Sequence, residues 1–466
     1  MKAWKVEYAL RRSALPRAEF TPFWSEAANI VKNAEDMRVK LLWESKVPGS
    51  GAPEHLIVGA VQAAWNRGYD VRVAEKLLAK GFKALGSNDI NSLRRISAEI
   101  FYALSVAKER KSDAYFRFSH PQTFEEISND FPEAPFKSSR FKKYAENIED
   151  KICGGWYGQI AGASMGTRIE GYRHKALVKV FGDKLGTYIE KPDGYNDDIT
   201  YEIAFLDALK EKGKYVSATD IALKWAEEIP FGWSAEQVAL DNIRKGIMPP
   251  QSAYLQNPFG EWIGAAMRGM APGLVSPGNP EKAAYLAYLD GTVSHYANGL
   301  YGEIFIAVLT SLAFVIDAPQ KLLINAIKFI PRSSQLYTVV WEIMGELAYA
   351  KRVKTMIRFA EKRFKTYNWI HLYPNLVSVI SALYISQGDF DRAMNIVAQF
   401  GFDADCNGGM VGAVLGVMNG KSRINEKWIA PFNGVIKTYM FGKEELSIDS
   451  LCNDTVKLSK INFSAL

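Results

Sequence analysis

The stretch Asp403-Ala-Asp-Cys-Asn-Gly-Gly-Met-Val-Gly-Ala-Val-Leu-Gly-Val-Met-Asn-Gly420 decides how the chain is read. Gly408, Gly412, Gly416 and Gly420 recur every fourth residue, which puts them on one face of a helix. Glycine costs about 1 kcal/mol per helical position relative to alanine, so the ladder needs a compensating gain. Close approach of a second helix is that gain. A partner with the same spacing exists at Gly154, Gly158, Gly162 and Gly166. The polar neighbours Gln159, Ser164 and Asn407 fit a tightly packed soluble core better than a lipid-facing pair. Neither ladder is a dinucleotide fingerprint, because no strand leads into a G-x-G-x-x-G turn.

Acidic residues gather beside the ladders. Glu170 follows the first, Asp403 and Asp405 precede the second, and Asp197 and Asp198 open another helix after the Gly194-Tyr195 turn. A single aspartate at a helix start is most simply an N-cap complementing the helix dipole. Paired aspartates exceed that need, since one residue fills each cap and its neighbour repels it. A cation relieves the repulsion, and oxygen ligands without histidine or thiolate partners favour Mg²⁺, Mn²⁺ or Ca²⁺ over zinc.

Working outward, helical periodicity covers 73–85 and 90–108, a hairpin turning at Gly86-Ser87-Asn88-Asp89. The pattern dissolves between Ser112 and about Ser139, where Pro121, Pro132 and Pro135 mark a linker. Helices are then expected at 198–212, 218–229, 281–290, 301–317, 334–350, 374–387 and 389–400. The expected fold class is all-α, with a smaller, mainly helical N-terminal region over residues 1–143 and a helical domain over 144–466. A chain of 466 residues is long enough for that division.

Composition narrows the classes. Hydrophobic residues make up 48% and aromatics 12%, enough for a packed core and too much for extended disorder. The apolar run Ile304 to Ile316 is too short to span a membrane, and the segment after Met1 lacks an apolar signal core, so a cytoplasmic, non-membrane protein is expected. Cys153, Cys406 and Cys452 lack C-x-x-C spacing, which argues against a disulfide framework or a zinc ribbon. The net charge of +6 is concentrated before residue 140. It reads as solvated surface, and no nucleic-acid partner is expected.

Three motifs in order resemble the ADP-ribosylglycohydrolase family. Gly155-Trp-Tyr-Gly-Gln-Ile-Ala-Gly-Ala-Ser-Met-Gly-Thr-Arg-Ile-Glu170-Gly is similar to its opening glycine helix and following glutamate. Asn196-Asp-Asp-Ile-Thr200 is similar to its T-D-D-T, and Asp403-Ala-Asp-Cys-Asn-Gly408 to its D-x-D-T/S. The resemblance implies an all-α ADP-ribosylglycohydrolase-like fold and one or two Mg²⁺ or Mn²⁺ ions. Its ligand set is Asn196, Asp197, Asp198, Asp403 and Asp405, with Cys406 in a ligand position, while Glu170, Asp197 and Asp403 would be catalytic. Gly264-Ala-Ala-Met-Arg268 resembles the loop that cradles a diphosphate, and Ser294-His295 a T-H pair near the substrate. Gly264, Ala265, His295 and Asn407 are therefore the expected substrate contacts. The simpler readings are a helix start for the loop, a structural histidine for His295 and an exposed turn residue for Glu170.

The sequence departs from the family pattern at four places. Asn196 replaces a threonine ligand, Cys406 a hydroxyl ligand, Ala163 a common aspartate and Ile263 a common asparagine. An amide oxygen still suits a hard cation, whereas a thiol does not. Three functions follow as expectations. The first is metal-dependent hydrolysis of an N- or O-glycosidic bond at a ribose, with an ADP-ribosylated protein or a ribosylated small molecule as partner. The others are a ribosyl N-glycosidase for a nucleoside-like compound and a non-catalytic binding or structural protein that keeps the fold. Oligomeric state is left open.

Overall fold

The computed structural model describes residues 1–16, 23–132, 147–192, 195 and 198–463. The fold is all-α: helices dominate, and the strands among the described residues form two short antiparallel pairs, Ser45–Lys46 with Pro53–Glu54 and Val435–Lys437 with Glu445–Ser447. The boundary expected at 143/144 falls in 133–146, outside the described residues.

The two glycine ladders meet. Helices Ile148–Gly166 and Ala404–Asn419 run antiparallel, pairing Gly154 with Gly416, Gly158 with Gly412 and Gly162 with Gly408. A Cβ on any of these would lie within 3.0 Å of the opposite backbone, nearer than real Cβ atoms come. The lost helix propensity is offset by backbone-to-backbone packing that side chains would forbid. Both helices are almost wholly buried. The geometry has a directional consequence: the end of the first helix and the start of the second lie together. Glu170 and Asp403 share that end, tied by the Gly171 amide donating to Phe402 O at 2.7 Å.

Most expected helices appear close to their expected bounds, including Arg72–Gly86, Ile90–Ser105, Asp198–Lys212, Ala218–Glu228, Pro280–Gly291, Gln335–Tyr349, Leu372–Ser386 and Phe390–Phe400. The helix expected at 301–317 runs instead over Ala297–Ala313. Its first two turns, which carry Asn298 and Glu303, are buried as completely as its apolar body, so an apolar pattern alone sets the start too late. No described helix is long and apolar enough to cross a membrane.

The N-terminal segment builds a small core of its own from Trp43, Ile57, Val61, Leu93, Ile96 and Ile100. Trp43 fills the space a side chain at Gly81 would need, and its indole donates to Ser97 Oγ at 2.8 Å. This segment also packs on the rest of the chain. Arg38 pairs with Asp241, Arg67 donates to Tyr296, and Tyr115 donates to Glu261 at 3.0 Å.

Candidate active site

Three chain segments converge at the shared end of the glycine helices. Asp198 opens its helix and is 1% exposed. Asp403 sits at the N-cap position of the second glycine helix, yet its side chain makes no capping bond, unlike Asp89 and Asp389, whose carboxylates cap their helices. Capping therefore does not account for Asp403. Ligand atoms of Asp403, Asp405 and Cys406 lie within 4.8 Å of one another. The Cys406 thiol reaches Asp198 Oδ1 at 3.5 Å, which brings the two acidic motifs together.

The electrostatics follow from this crowding. Burial pushes the Asp405 carboxyl up. Burial, reinforced by Asp198, Asp403 and Asp405, pushes the Cys406 thiol well above its ordinary value. It stays protonated and donates, the opposite of a metal-bound thiolate. The remaining donors are hard oxygens and fit Mg²⁺ or Mn²⁺. Asn196 and Asp197, the other two expected ligands, lie outside the described residues.

The other expected residues are placed as follows. Glu170 is half-buried on the turn after the first glycine helix, with its amide bonded to Gly166 O. Asn407 is buried one turn into the second helix, where its amide donates to Asn375 Oδ1 at 2.8 Å. Asn375 also accepts from the Asp403 amide at 3.1 Å, so one buried asparagine holds both residues. Gly264 and Ala265 are buried ahead of the short 3₁₀ turn Ala266–Arg268. Met267 from this turn touches Cys406, with sulfur atoms 3.7 Å apart, so the loop lines the acidic group as well as starting a helix.

Beneath that loop lies a buried ionic cluster that sequence reading did not find. Arg268, 1% exposed, donates to Asp290 at 2.5 Å, Glu236 at 3.2 Å, Gly264 O at 3.0 Å and Ser294 Oγ at 2.9 Å. Its guanidinium also lies 4.9 Å from the Trp225 ring centroid. Burial alone would lower its pKa, but Asp290, Glu303 and Glu236 outweigh burial and raise it. Glu202, one turn after Asp198, accepts from Gln159 at 2.5 Å and from the Ala271 amide at 3.1 Å. Burial raises Glu202 and Glu303 well above the carboxylate range, so the cluster keeps protons rather than excess charge. His295 belongs to it: Ser294 Oγ lies 2.8 Å from its Nδ1, and burial together with Arg268 holds the ring neutral. The i+4 spacing of Glu202 from Asp198 is a usable sequence signal. Glu236 and Asp290 lack one, because their link to Arg268 is purely spatial.

A second structural element borders the site. The hairpin around residues 45–54 lies on the Glu170 turn, with Arg168 donating to Gly49 O and Tyr172 OH donating to Ser50 O at 3.2 Å. Its far strand reaches the start of helix Ser234–Arg244, where Trp233 Nε1 donates to Glu54 Oε2 at 2.9 Å. It thus links the Glu170 turn to the start of the helix that carries Glu236.

The family model described as ADP-ribosylglycohydrolase matches residues 145–460. The fold is similar to a solved structure titled "ADP-ribosylglycohydrolase-related protein complex", at 17% identity and a TM-score of 0.49, covering 67% of this chain and 99% of that one. A search of curated proteins returned no match. With the family model spanning more than half of its length, this chain belongs to the ADP-ribosylglycohydrolase family.

Proposed function

We propose that this protein hydrolyses an N- or O-glycosidic bond at the anomeric carbon of a ribose carried by a small molecule. The convergence of Asp198, Asp403 and Asp405 supports the chemistry. We choose the small substrate over a modified protein, and the hairpin that packs on the Glu170 turn and on Trp233 is the element beside the site that would bear on that choice.

In this reading, Asp198, Asp403 and Asp405, together with Asp197 and Asn196, hold one or two Mg²⁺ or Mn²⁺ ions. A bound cation supplies ribose-diol orientation and a lowered pKa for water. The side chains do the rest. The carboxylates stabilise positive charge developing on the ribose as the bond to the leaving group breaks. Glu170, half-buried and adjacent, orients the attacking water or accepts its proton. The bond from the anomeric carbon to the leaving nitrogen or oxygen breaks as the water oxygen bonds to that carbon, and the proton lost by the water ends on the leaving group. Asn407, through Asn375, keeps the start of the second glycine helix in place.

The thiol of Cys406, where a hydroxyl would suit a hard cation better, favours one other reading, a protein that binds a ribosyl ligand without turning it over. Measuring hydrolysis of ADP-ribosyl-arginine on a protein, free ADP-ribosyl-arginine and simple ribonucleosides, with Mg²⁺ and with EDTA, separates these cases. Metal-dependent turnover of a small compound but not of the modified protein is expected. Turnover of the modified protein at the same rate would sink the small-substrate reading, and no turnover of any compound would leave only binding.

A further inference from the structure

Two thiols meet at the end of the first glycine helix that faces away from the acidic group. Cys153 stands on that helix, Ile148–Gly166, and Cys452 on the C-terminal helix Ile448–Ser459. Their side chains are in hydrogen-bond contact. Three residues farther along both helices, Trp156 Nε1 donates to Thr455 Oγ1 at 2.9 Å. The two helices therefore run side by side in the same direction here and hold the thiols in register. The seam is well packed, with Ile152, Trp156, Thr455 and Val456 buried around the pair. Spacing in the sequence gives no sign of it, because its members come from opposite ends of the helical domain.

The pair is asymmetric. Cys153 is half-buried, whereas Cys452 is 1% exposed. The hydrogen bond from Cys452 lowers the Cys153 pKa, and the Lys421 ammonium adds to it, against burial, Asp449 and Asp150. Lys421 is held in place by Asp449 at 3.2 Å and by the Tyr157 ring, whose centroid lies 4.0 Å from Nζ. The same thiol–thiol bond, with burial, pushes the Cys452 thiol up. One sulfur is thus readier to ionise and open to solvent, while the other keeps its proton and lies behind it. Cys406 is the contrast: it is buried against carboxylates, with its thiol pushed well above the ordinary value.

We propose that Cys153 and Cys452 form a reversible oxidation site for hydrogen peroxide, with Cys153 as the reacting thiol and Cys452 as the resolving one. The Cys153 thiolate attacks one peroxide oxygen and the O–O bond breaks. Sulfur becomes a sulfenic acid, and the departing hydroxide takes up the proton that Cys153 gave up, forming water. The Cys452 sulfur then displaces the sulfenic hydroxyl. An S–S bond forms as the S–O bond breaks, and the Cys452 proton leaves with the hydroxyl as a second water. Two thiols lose two electrons, and one peroxide gains them. The new bond pins the C-terminal helix to the first glycine helix and closes a loop over most of the chain, which restricts the unfolded state. At 1.5 Å per residue the helix carries Cys153 about 20 Å from Gly166, so the bond fastens the C-terminal helix without entering the acidic group.

The test uses the full chain, reduced and then freed of reductant, with hydrogen peroxide as the probe. Peptide mapping without reductant is expected to find Cys153 joined to Cys452, a link that dithiothreitol reverses. The oxidised chain is expected to melt about 5 °C above the reduced one. In Cys452→Ser, peroxide is expected to leave Cys153 as a sulfenic acid that dimedone labels, with no gain in melting temperature. In Cys153→Ser, Cys452 is expected to remain a thiol. A Cys153 that reacts no faster than Cys406 overturns the proposal, and so does a Cys153 that proceeds to sulfinic acid without linking to Cys452. Should either variant fail to fold, the wild-type peptide map alone decides. Failure here leaves the glycohydrolase reading intact, since that reading concerns the other end of the helix.

Discussion

The Cys406 thiol donates to Asp198 Oδ1 across 3.5 Å, so a hydrogen bond links two carboxylate motifs that are more than two hundred residues apart. If the acidic cluster holds a hard cation as proposed, that thiol stands beside it without offering a suitable ligand. Cys406→Thr is therefore expected to tighten Mg²⁺ binding about tenfold, or about 1.4 kcal/mol. Titration of the wild type and the variant with Mg²⁺ checks this. Equal affinities would show that position 406 does not face the cation.

Removing the acids has the opposite effect. The double variant Asp403→Asn, Asp405→Asn is expected to abolish measurable Mn²⁺ binding and to lower turnover by at least about a thousandfold, the scale of losing a main electrostatic stabiliser. Because burial raises the Asp405 carboxyl, losing its charge costs the fold little, and the melting temperature is expected to stay within a few degrees. Retained metal binding in the folded variant would move the site elsewhere.

The glycine pairing makes a contrast within one residue type. Gly158→Ala puts a methyl into the carbonyl of Gly412 and is expected to destabilise by about 3 kcal/mol or to prevent folding. Gly345, inside helix Gln335–Tyr349, has no atom within 4 Å of a Cβ position. Gly345→Ala is expected to stabilise by about 0.5–1 kcal/mol. Chemical denaturation of both variants tests the pair, and similar effects at the two positions would contradict the packing argument.

His371 gives a pH signature. Its Nδ1 accepts from the Tyr373 amide at 3.2 Å, and burial, with Arg67 nearby, pulls its pKa down to about 3. The unfolded chain binds this proton below its ordinary value of 6.5, while the folded chain refuses it until about pH 3. Stability from this group is thus complete above pH 6.5 and falls toward pH 3, at up to about 1.4 kcal/mol per pH unit. His371→Asn keeps a capping acceptor without the titration. Its unfolding free energy between pH 6 and pH 4 is expected to fall less steeply than that of the wild type, and parallel slopes would remove the assignment.

How much of this was legible in the sequence depends on the range of each interaction. The ladders are periodic, so their helices and their mutual contact could be read from spacing alone, as could the excess of Asp403 and Asp405 over capping needs. Asp198 was legible because it neighbours another aspartate. Glu236, Asp290 and Glu303 were not, since each appears singly in an otherwise ordinary helical pattern and acquires meaning only around Arg268. The hairpin was hidden for a different reason: residues 45–54 form only two short strands, and nothing local tells which distant surface they meet. His295 joins the buried network around Arg268 and Glu236, which is the structural reading its apolar surroundings suggested.

The antiparallel glycine helices act as a fixed caliper. Their separation is set by backbone atoms alone, leaving no side chain whose exchange could open or narrow the jaw that holds Glu170 opposite Asp403. Changes of substrate in a protein built this way must come from parts hung around the jaw, and the parts that pack beside it here are the Gly264–Arg268 loop and the hairpin from Gly49 to Glu54.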